Sequence, residues 1–172
     1  MNDATYYQIR DYRPEDWECL RDMSYEAAFW RPGVPRPPRE EALSAPNISR
    51  YIEGWGHPGD AAVVAVERSS GNRIGAAWYR IMPEDAPGYG FVAPEVPELS
   101  MGVAAAFRGR GVGGALLEAL LERAIAEGVG ALSLSVEDGN PAVRLYERHG
   151  FERLFRVGNA WTMKVELTRS SA

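Results

Sequence analysis

Few side chains in this sequence are suited to binding a metal ion or to forming a disulfide. Its 172 residues include one cysteine, Cys19, and two histidines, His57 and His149, which lie far apart in the chain. A single cysteine cannot form an intramolecular disulfide or supply a cysteine-based zinc site, and the histidines lack the spacing of metal ligands. We therefore expect no bound metal, and we expect Cys19 to be an inert core residue.

Long apolar runs and an excess of basic residues are also absent. No stretch reaches the roughly 18 uncharged apolar residues of a membrane span, and the first residues, Met1 to Pro14, are charged throughout instead of forming a signal peptide. The 19 basic and 24 acidic residues give a formal net charge of -5, which gives little reason to expect nucleic acid. We expect a cytoplasmic protein with no membrane or nucleic-acid partner, whose acidic balance suits small or cationic partners.

The composition is otherwise that of an ordinary globular protein, with 45% apolar and 25% charged residues. A chain of this length buries roughly 70% of the surface that its unfolded form exposes. It can therefore sustain its own core, and we expect a single domain over residues 1–172.

The pattern along the chain predicts strands and helices in alternation. Four prolines predict a loop over 31–39, and a second loop is expected over 83–97. Helices are predicted after Pro14, over 48–55, over 116–125 and from Asn140, an N-cap, to Gly150. The predicted strands are 7–12, 61–67, 73–81, 98–104, 131–136, 151–157 and 160–167.

The segment Arg108 to Gly114, RGRGVGG, follows a predicted strand and opens a predicted helix. Glycines let backbone donors approach an anion closely, the helix start adds unpaired N–H groups, and two arginines add positive charge. The segment predicts a phosphate site, with a simple tight turn as the alternative.

A dinucleotide fingerprint is the competing interpretation, since Gly109, Gly111 and Gly114 satisfy it and Glu137 could accept the ribose hydroxyl. The usual fingerprint follows its strand directly and has its acid about 20 residues on. Here residues 105–108 intervene, Glu137 lies 28 residues after Gly109, and a single such unit is visible. These departures disfavour a nicotinamide cofactor.

At these residues the chain resembles the GNAT superfamily of N-acyltransferases. Arg108, Gly111 and Gly113 match the acyl-coenzyme A signature Arg/Gln-x-x-Gly-x-Gly/Ala, and NPAVRLYERHGF over 140–151 is similar to the family's second motif. The resemblance covers 98–151 closely and the rest of the chain less closely. No family motif is visible over 31–60 or 83–97.

The resemblance implies an α/β fold with a central mixed, largely antiparallel sheet flanked by helices. In the family a splayed pair of parallel strands opens the coenzyme A cleft, which here implies the strands 98–104 and 131–136. N-terminal helices and acceptor-side loops would then occupy about 1–60, the cofactor-binding core about 61–151, and a C-terminal hairpin 151–167.

The resemblance also implies roles for individual residues. Tyr146 would protonate the departing thiolate, with core packing as the alternative, and Glu98 would accept the amine proton, with a solvated strand-end carboxylate as the alternative. The cofactor-binding residues it implies are Met101, Gly102, Val103, Arg108, Gly109, Arg110, Gly111, Val112, Gly113, Gly114, Asn140 and Tyr146.

The activity implied is transfer of an acetyl group from acetyl-coenzyme A to a primary amine, on a small molecule or a peptide, by direct attack in a ternary complex. A non-catalytic acyl-coenzyme A sensor is the alternative. Exposed strand edges and the C-terminal hairpin offer surfaces for a homodimer. The acceptor is expected to lie among Trp30, Tyr51, Trp55, Tyr89 and Phe91, with Glu84, Asp85 and Glu95 nearby.

Overall fold

The computed structural model describes residues 5–168, which form one seven-stranded sheet with helices on both faces. The strands lie in the order β1-β2-β3-β4-β5-β7-β6. The strands are β1 (Tyr7–Asp11), β2 (Ala61–Glu67), β3 (Arg73–Arg80), β4 (Glu98–Val103), β5 (Ala131–Glu137), β6 (Glu152–Val157) and β7 (Ala160–Glu166). The helices are α1 (Trp17–Ala28), α2 (Arg39–Ser44), α3 (Pro46–Ser49), α4 (Val112–Ala126) and α5 (Ala142–Arg148).

All neighbouring strands are antiparallel except β4 and β5, which are parallel. These two strands pair only where Glu98 lies opposite Ser133, and the Ser133 N–H donates to the Pro97 carbonyl over 3.0 Å. Beyond that point they diverge. The mixed sheet and the splayed parallel pair confirm the predicted fold class.

Two apolar layers cover the sheet. Leu116, Leu117 and Leu120 of α4 pack with Leu132 and Leu134 of β5 on one face. On the other face, Leu20 and Met23 of α1 pack with Trp78 and with small residues of β2 and β3. Because alternate residues of a strand point to opposite faces, the sheet buries apolar side chains on both sides. Within residues 5–168, no helix is long and apolar enough to cross a membrane.

One predicted helix, over 48–55, is wrong. Helix α3 ends at Ser49 and turns follow. The buried guanidinium of Arg80 donates to the carbonyls of Arg50 and Glu53 and to the Asp60 carboxylate, with N–O distances of 2.6–3.2 Å. These carbonyls accept hydrogen bonds from Arg80, which is distant in sequence, instead of from N–H groups of a longer helix. Helix α2, which begins where the predicted proline loop ends, was not predicted.

Strand β6 forms one edge of the sheet and leaves Leu154, Phe155 and Val157 exposed. No partner strand lies beyond it within the described residues. The homodimer through this edge stays a prediction.

Asp16, just before α1, joins three elements through a buried carboxylate. It accepts hydrogen bonds from the Arg10 guanidinium at 2.6 and 3.0 Å, from Arg73 Nε at 2.9 Å and from the Arg13 N–H at 2.8 Å. Burial alone would raise its pKa, but these hydrogen bonds outweigh burial and lower the pKa from 3.8 to about 2. The charged carboxylate therefore stabilises the fold.

Replacement of Asp16 by asparagine should lower the free energy of unfolding at pH 7 by about 2 kcal/mol, the value of such a pKa shift. Because the folded-state pKa lies below the unfolded one, this contribution is present above about pH 4 and is lost as the pH falls to about 2. Urea unfolding at several pH values measures it. Asp85→Asn, at an exposed position, is the matched control, and an equal effect of both variants would contradict the prediction.

Candidate active site

The glycine turn, residues 108–111, places a row of unpaired backbone donors at the start of α4. Gly109 and Gly111 have φ values of +73° and +87°, which side-chain-bearing residues rarely adopt. The first N–H of this region to meet an intrahelical carbonyl is that of Ala115, which donates to Gly111 at 3.2 Å. The first N–H groups of α4, before that of Ala115, have no intrahelical acceptor, so the turn and the helix start can act as an anion cradle.

The two arginines of the turn have different environments. Arg108 Nε donates to the Val103 carbonyl at 3.0 Å, and its Nη2 donates to the Glu26 carboxylate of α1 at 2.8 Å. The guanidinium of Arg110 lies over the Tyr6 ring, 4.4 Å from its centroid. Arg108 thus links the end of β4 to the turn and to α1, while Arg110 lies on the outer side.

A cavity of about 230 Å³, the glycine-turn cleft, lies between the end of β4, the glycine turn and α5. It brings together eight of the predicted cofactor residues. The others, Arg110, Gly111, Val112 and Gly114, do not line it, and of these Val112 is buried in the core. The eight residues are Met101, Gly102, Val103, Arg108, Gly109, Gly113, Asn140 and Tyr146.

Tyr146 lies on α5 with its ring edge-on to Phe151 at a centroid distance of 5.6 Å. Its side chain lines the glycine-turn cleft, and within the described residues its hydroxyl makes no hydrogen bond. Burial raises the pKa of Tyr146 above its ordinary value. The phenol therefore keeps its proton at neutral pH and can donate it to a group in the cleft.

Asn140 lies one residue before the N-cap of α5, which is Pro141, and its side chain still caps the start of the helix. Its Oδ1 accepts a hydrogen bond from the Ala142 N–H at 2.9 Å, at the start of α5. Its amide nitrogen makes no hydrogen bond to another described residue. The capping role and a ligand contact are therefore compatible.

A second cavity of about 550 Å³, the aromatic cavity, lies on the α1 side of the sheet where β4 and β5 diverge. Ala27, Trp30 and Asn140 line both cavities, so the two adjoin. Its aromatic side chains are Phe29, Trp30, Tyr51, Trp78 and Tyr89, and its polar ones include Ser24, Asn47, Ser100, Ser135, Glu137 and Asn159.

Part of the predicted acceptor region lies elsewhere. Trp55 packs edge-on against Tyr12, with a centroid distance of 5.7 Å, and lies under the Arg80 guanidinium. Phe91 and the acidic residues Glu84, Asp85 and Glu95 do not line the aromatic cavity. The carboxylate that lines the cavity is that of Glu137, at the end of β5. From the sequence, Glu137 was predicted only as a possible ribose acceptor. Strand alternation could have placed it on one face with Ser133 and Ser135.

Glu98 is not a solvated carboxylate, so that interpretation is wrong. The residue is 2% exposed, and its carboxylate accepts hydrogen bonds from the N–H groups of Gly88 and Gly90 at 3.0 and 2.8 Å. Burial raises the pKa of Glu98, and the two backbone hydrogen bonds offset part of that rise. Its side chain lines neither cavity, so its role as proton acceptor stays a prediction.

Instead, Glu98 anchors the loop over 83–97 beside the diverging strands. A Cβ on Gly88 would overlap the Glu98 carboxylate, and one on Gly90 would lie 2.5 Å from the Leu134 carbonyl carbon. The loop therefore passes directly over β5, and it carries Tyr89 to the cavity wall. The Tyr89 N–H donates to the Tyr51 hydroxyl at 2.8 Å, which joins the loop to the segment after α3.

The remaining reactive side chains take no part in the site. Cys19 is buried on α1, and burial raises the pKa of its thiol to about 12, so an unreactive core cysteine is confirmed. His149 meets the Leu145 carbonyl at 2.8 Å, as expected at a helix end. Among residues 5–168, no group of three or more histidine, cysteine or acidic side chains could hold a metal ion.

Comparison with known proteins agrees with this geometry. Residues 10–151 match the model of the acetyltransferase (GNAT) family. A mycothiol acetyltransferase from Corynebacterium aurimucosum is 40% identical over 132 residues, which are 73% of this chain and 40% of that protein. The chain therefore belongs to the acetyltransferase (GNAT) family, and it spans about 40% of the length of that relative.

Solved structures of this fold are also similar. A GCN5-related N-acetyltransferase from Kribbella flavida is 28% identical with a TM-score of 0.67, over 94% of this chain and 98% of that one. A phosphinothricin acetyltransferase from Sinorhizobium meliloti, solved in complex with acetyl-coenzyme A, is 22% identical with a TM-score of 0.67, over 95% of this chain and 89% of that one. The predicted membership of the GNAT family of acetyltransferases is confirmed.

The passage of the loop over β5 predicts a sharp difference between two glycines. Gly90→Ala should lower the free energy of unfolding by about 1–3 kcal/mol, because the added Cβ meets strand backbone that cannot move aside. Gly130→Ala is the control, since no atom lies within 4 Å of a Cβ at that position. Chemical denaturation measures both, and a Gly90→Ala protein as stable as Gly130→Ala would show that the loop does not pack on β5.

Proposed function

We propose that the chain transfers an acetyl group from acetyl-coenzyme A to a primary amine by direct attack in a ternary complex. One observation carries this proposal: the anion cradle and the protonated Tyr146 lie in one cavity, which adjoins a second, aromatic cavity at Trp30 and Asn140. A donor and an acceptor bound in the two cavities would meet where β4 and β5 diverge.

The residues present fit the phosphates of coenzyme A. The start of α4 offers N–H groups without an intrahelical acceptor, and Arg108 lines the cleft in an ion pair with Glu26. Gly113 lies between Met101 and Leu145, where a side chain would enter the cleft. When bound, acetyl-coenzyme A supplies a thioester whose carbonyl carbon accepts the amine.

The chain's own groups serve the other steps. Beyond Glu98, the side of β4 that faces β5 has no strand partner, so the backbone groups of Met101 and the N–H of Val103 are free to bind the pantetheine arm and the thioester oxygen. The backbone groups of Gly102 face β3, where Gly102 pairs with Ala76, and the Val103 carbonyl accepts from Arg108. As the new C–N bond forms and the C–S bond breaks, the Tyr146 hydroxyl donates its proton to the leaving sulfur. The proton lost by the attacking nitrogen passes through solvent and restores the Tyr146 phenol. Because Cys19 is buried and unreactive, direct attack is favoured over an acyl-cysteine route.

The similarity to acetyltransferases supports acetyl transfer. The cytoplasmic location predicted from the sequence also stays a prediction. A non-catalytic acyl-coenzyme A sensor would use the same cleft, so product formation must separate the two functions.

Calorimetric titration with acetyl-coenzyme A tests the cleft directly, with NADH as the competing ligand. We expect the protein to bind acetyl-coenzyme A and not NADH. Gly113→Val should weaken that binding at least about tenfold by filling the cleft, whereas Gly130→Val, where a side chain meets open space, should leave it unchanged. Equal affinities in the two variants would contradict the proposed cleft.

Tyr146→Phe should lower kcat by about a hundredfold or more and leave the KM for acetyl-coenzyme A nearly unchanged, because it removes a proton donor and keeps the ring. Acceptor-dependent release of the coenzyme A thiol measures this effect. Tyr12→Phe, at a tyrosine outside both cavities, is the matched control. A Tyr146→Phe enzyme with normal kcat would remove Tyr146 from the chemistry, and binding without thiol release for any amine would favour the sensor.

A further inference from the structure

We propose that the acceptor is a compact primary amine with no carboxylate or phosphate beside the amino group, and that Glu137 selects for it. This inference rests on the proposed amine acetylation. It identifies the class of substrate and a residue that determines specificity.

The wall of the aromatic cavity is acidic. It contains no lysine, arginine or histidine among the described residues, and Glu137 is the one ionisable carboxylate in it. An amino acid bound there would bring its own carboxylate near Glu137, with no cation in the wall to compensate. Such a like-charge contact in a partly desolvated site is strongly unfavourable. A neutral or cationic amine meets no such penalty.

Arg31 is the cation nearest to Glu137 in the hydrogen-bond network, and it does not offer an anion site in the cavity. Its Nη2 donates to the Asp138 carbonyl at 3.1 Å and forms a salt bridge with Glu137 Oε2 at 3.4 Å, so Arg31 offsets part of the Glu137 charge. Its guanidinium stacks on Trp30, 4.5 Å from the ring centroid. Arg31 lines a separate recess of about 70 Å³ with Trp30 and Glu137, so it lies outside the wall of the aromatic cavity.

The wall of the aromatic cavity also contains an unpaired hydroxyl. Ser24 is 4% exposed, lines the aromatic cavity, and its Oγ has no hydrogen-bond partner within the described chain. Buried hydroxyls are normally paired, so a polar group on a ligand beside Ser24 would satisfy this one. Ser100 and Ser135 supply further hydroxyls from β4 and β5. The cavity therefore suits neutral hydrogen-bonding groups on the acceptor.

Aromatic side chains form much of the cavity wall. The backbone N–H of Tyr89 donates to the Tyr51 hydroxyl, which holds the Tyr51 side chain against the loop that carries Tyr89, and Trp30 lies at the junction with the glycine-turn cleft. Aromatic faces bind both apolar rings and ammonium groups. Together with Glu137, they favour a cationic amine on a small apolar or aromatic body.

Three matched amines test this inference: tyramine, tyrosinamide and tyrosine. They share the phenol ring and the amino group. Tyrosinamide has the bulk of the tyrosine carboxylate without its charge. We expect acetylation of tyramine and tyrosinamide with similar kcat/KM, and a kcat/KM for tyrosine at least about tenfold lower.

Substitutions of Glu137 then assign the selectivity to one residue. Glu137→Gln should reduce the preference for tyramine over tyrosine by about tenfold, and Glu137→Arg should reverse it. Glu152→Gln and Glu152→Arg make the same changes at an exposed residue of β6, away from both cavities, and should leave the preference unaltered.

Each contrary result has a distinct meaning. Equal use of tyrosine and tyramine overturns the inference, and so does a tyrosinamide as poor as tyrosine, which would show exclusion by bulk. Binding of acetyl-coenzyme A without acetylation of any of the three amines also overturns it and leaves the proposed cofactor cleft intact. Failure to bind acetyl-coenzyme A would instead contradict the proposed function itself.

Discussion

The divergence of β4 and β5 is the constraint on which the site depends. The two parallel strands are held together at Glu98 and Ser133 and separate beyond that point. The separation leaves one side of β4 without a strand partner and opens a passage from the glycine-turn cleft to the aromatic cavity. Backbone groups that a continuous sheet would satisfy become available to a ligand.

The buried Glu98 carboxylate helps to maintain this opening. It holds the N–H groups of Gly88 and Gly90, and the loop that carries them lies over β5 and brings Tyr89 to the cavity wall. Helix α1 also borders the opening, and it packs so closely on β4 that a Cβ on Gly102 would overlap the Met23 carbonyl. Small residues at these contacts allow the surrounding elements to line the opening without filling it.

Features encoded by neighbouring residues could be predicted from the sequence, whereas features made by distant contacts could not. The glycine turn, the capping Asn140 and the position of Tyr146 follow from local spacing. The predicted helix over 48–55 fails because Arg80, on a distant strand, binds the carbonyls of Arg50 and Glu53. The burial of Glu98 and the place of Glu137 in the cavity likewise depend on how a long loop and the sheet come together.

In the proposed reaction the donor and the acceptor are bound at the same time in adjoining cavities, and no residue of the protein becomes acylated. Initial rates of thiol release, measured while acetyl-coenzyme A and tyramine are varied together, test this requirement most directly. Intersecting double-reciprocal lines are the predicted result. Parallel lines would show that the acetyl group passes through a covalent enzyme intermediate, and they would contradict the central claim.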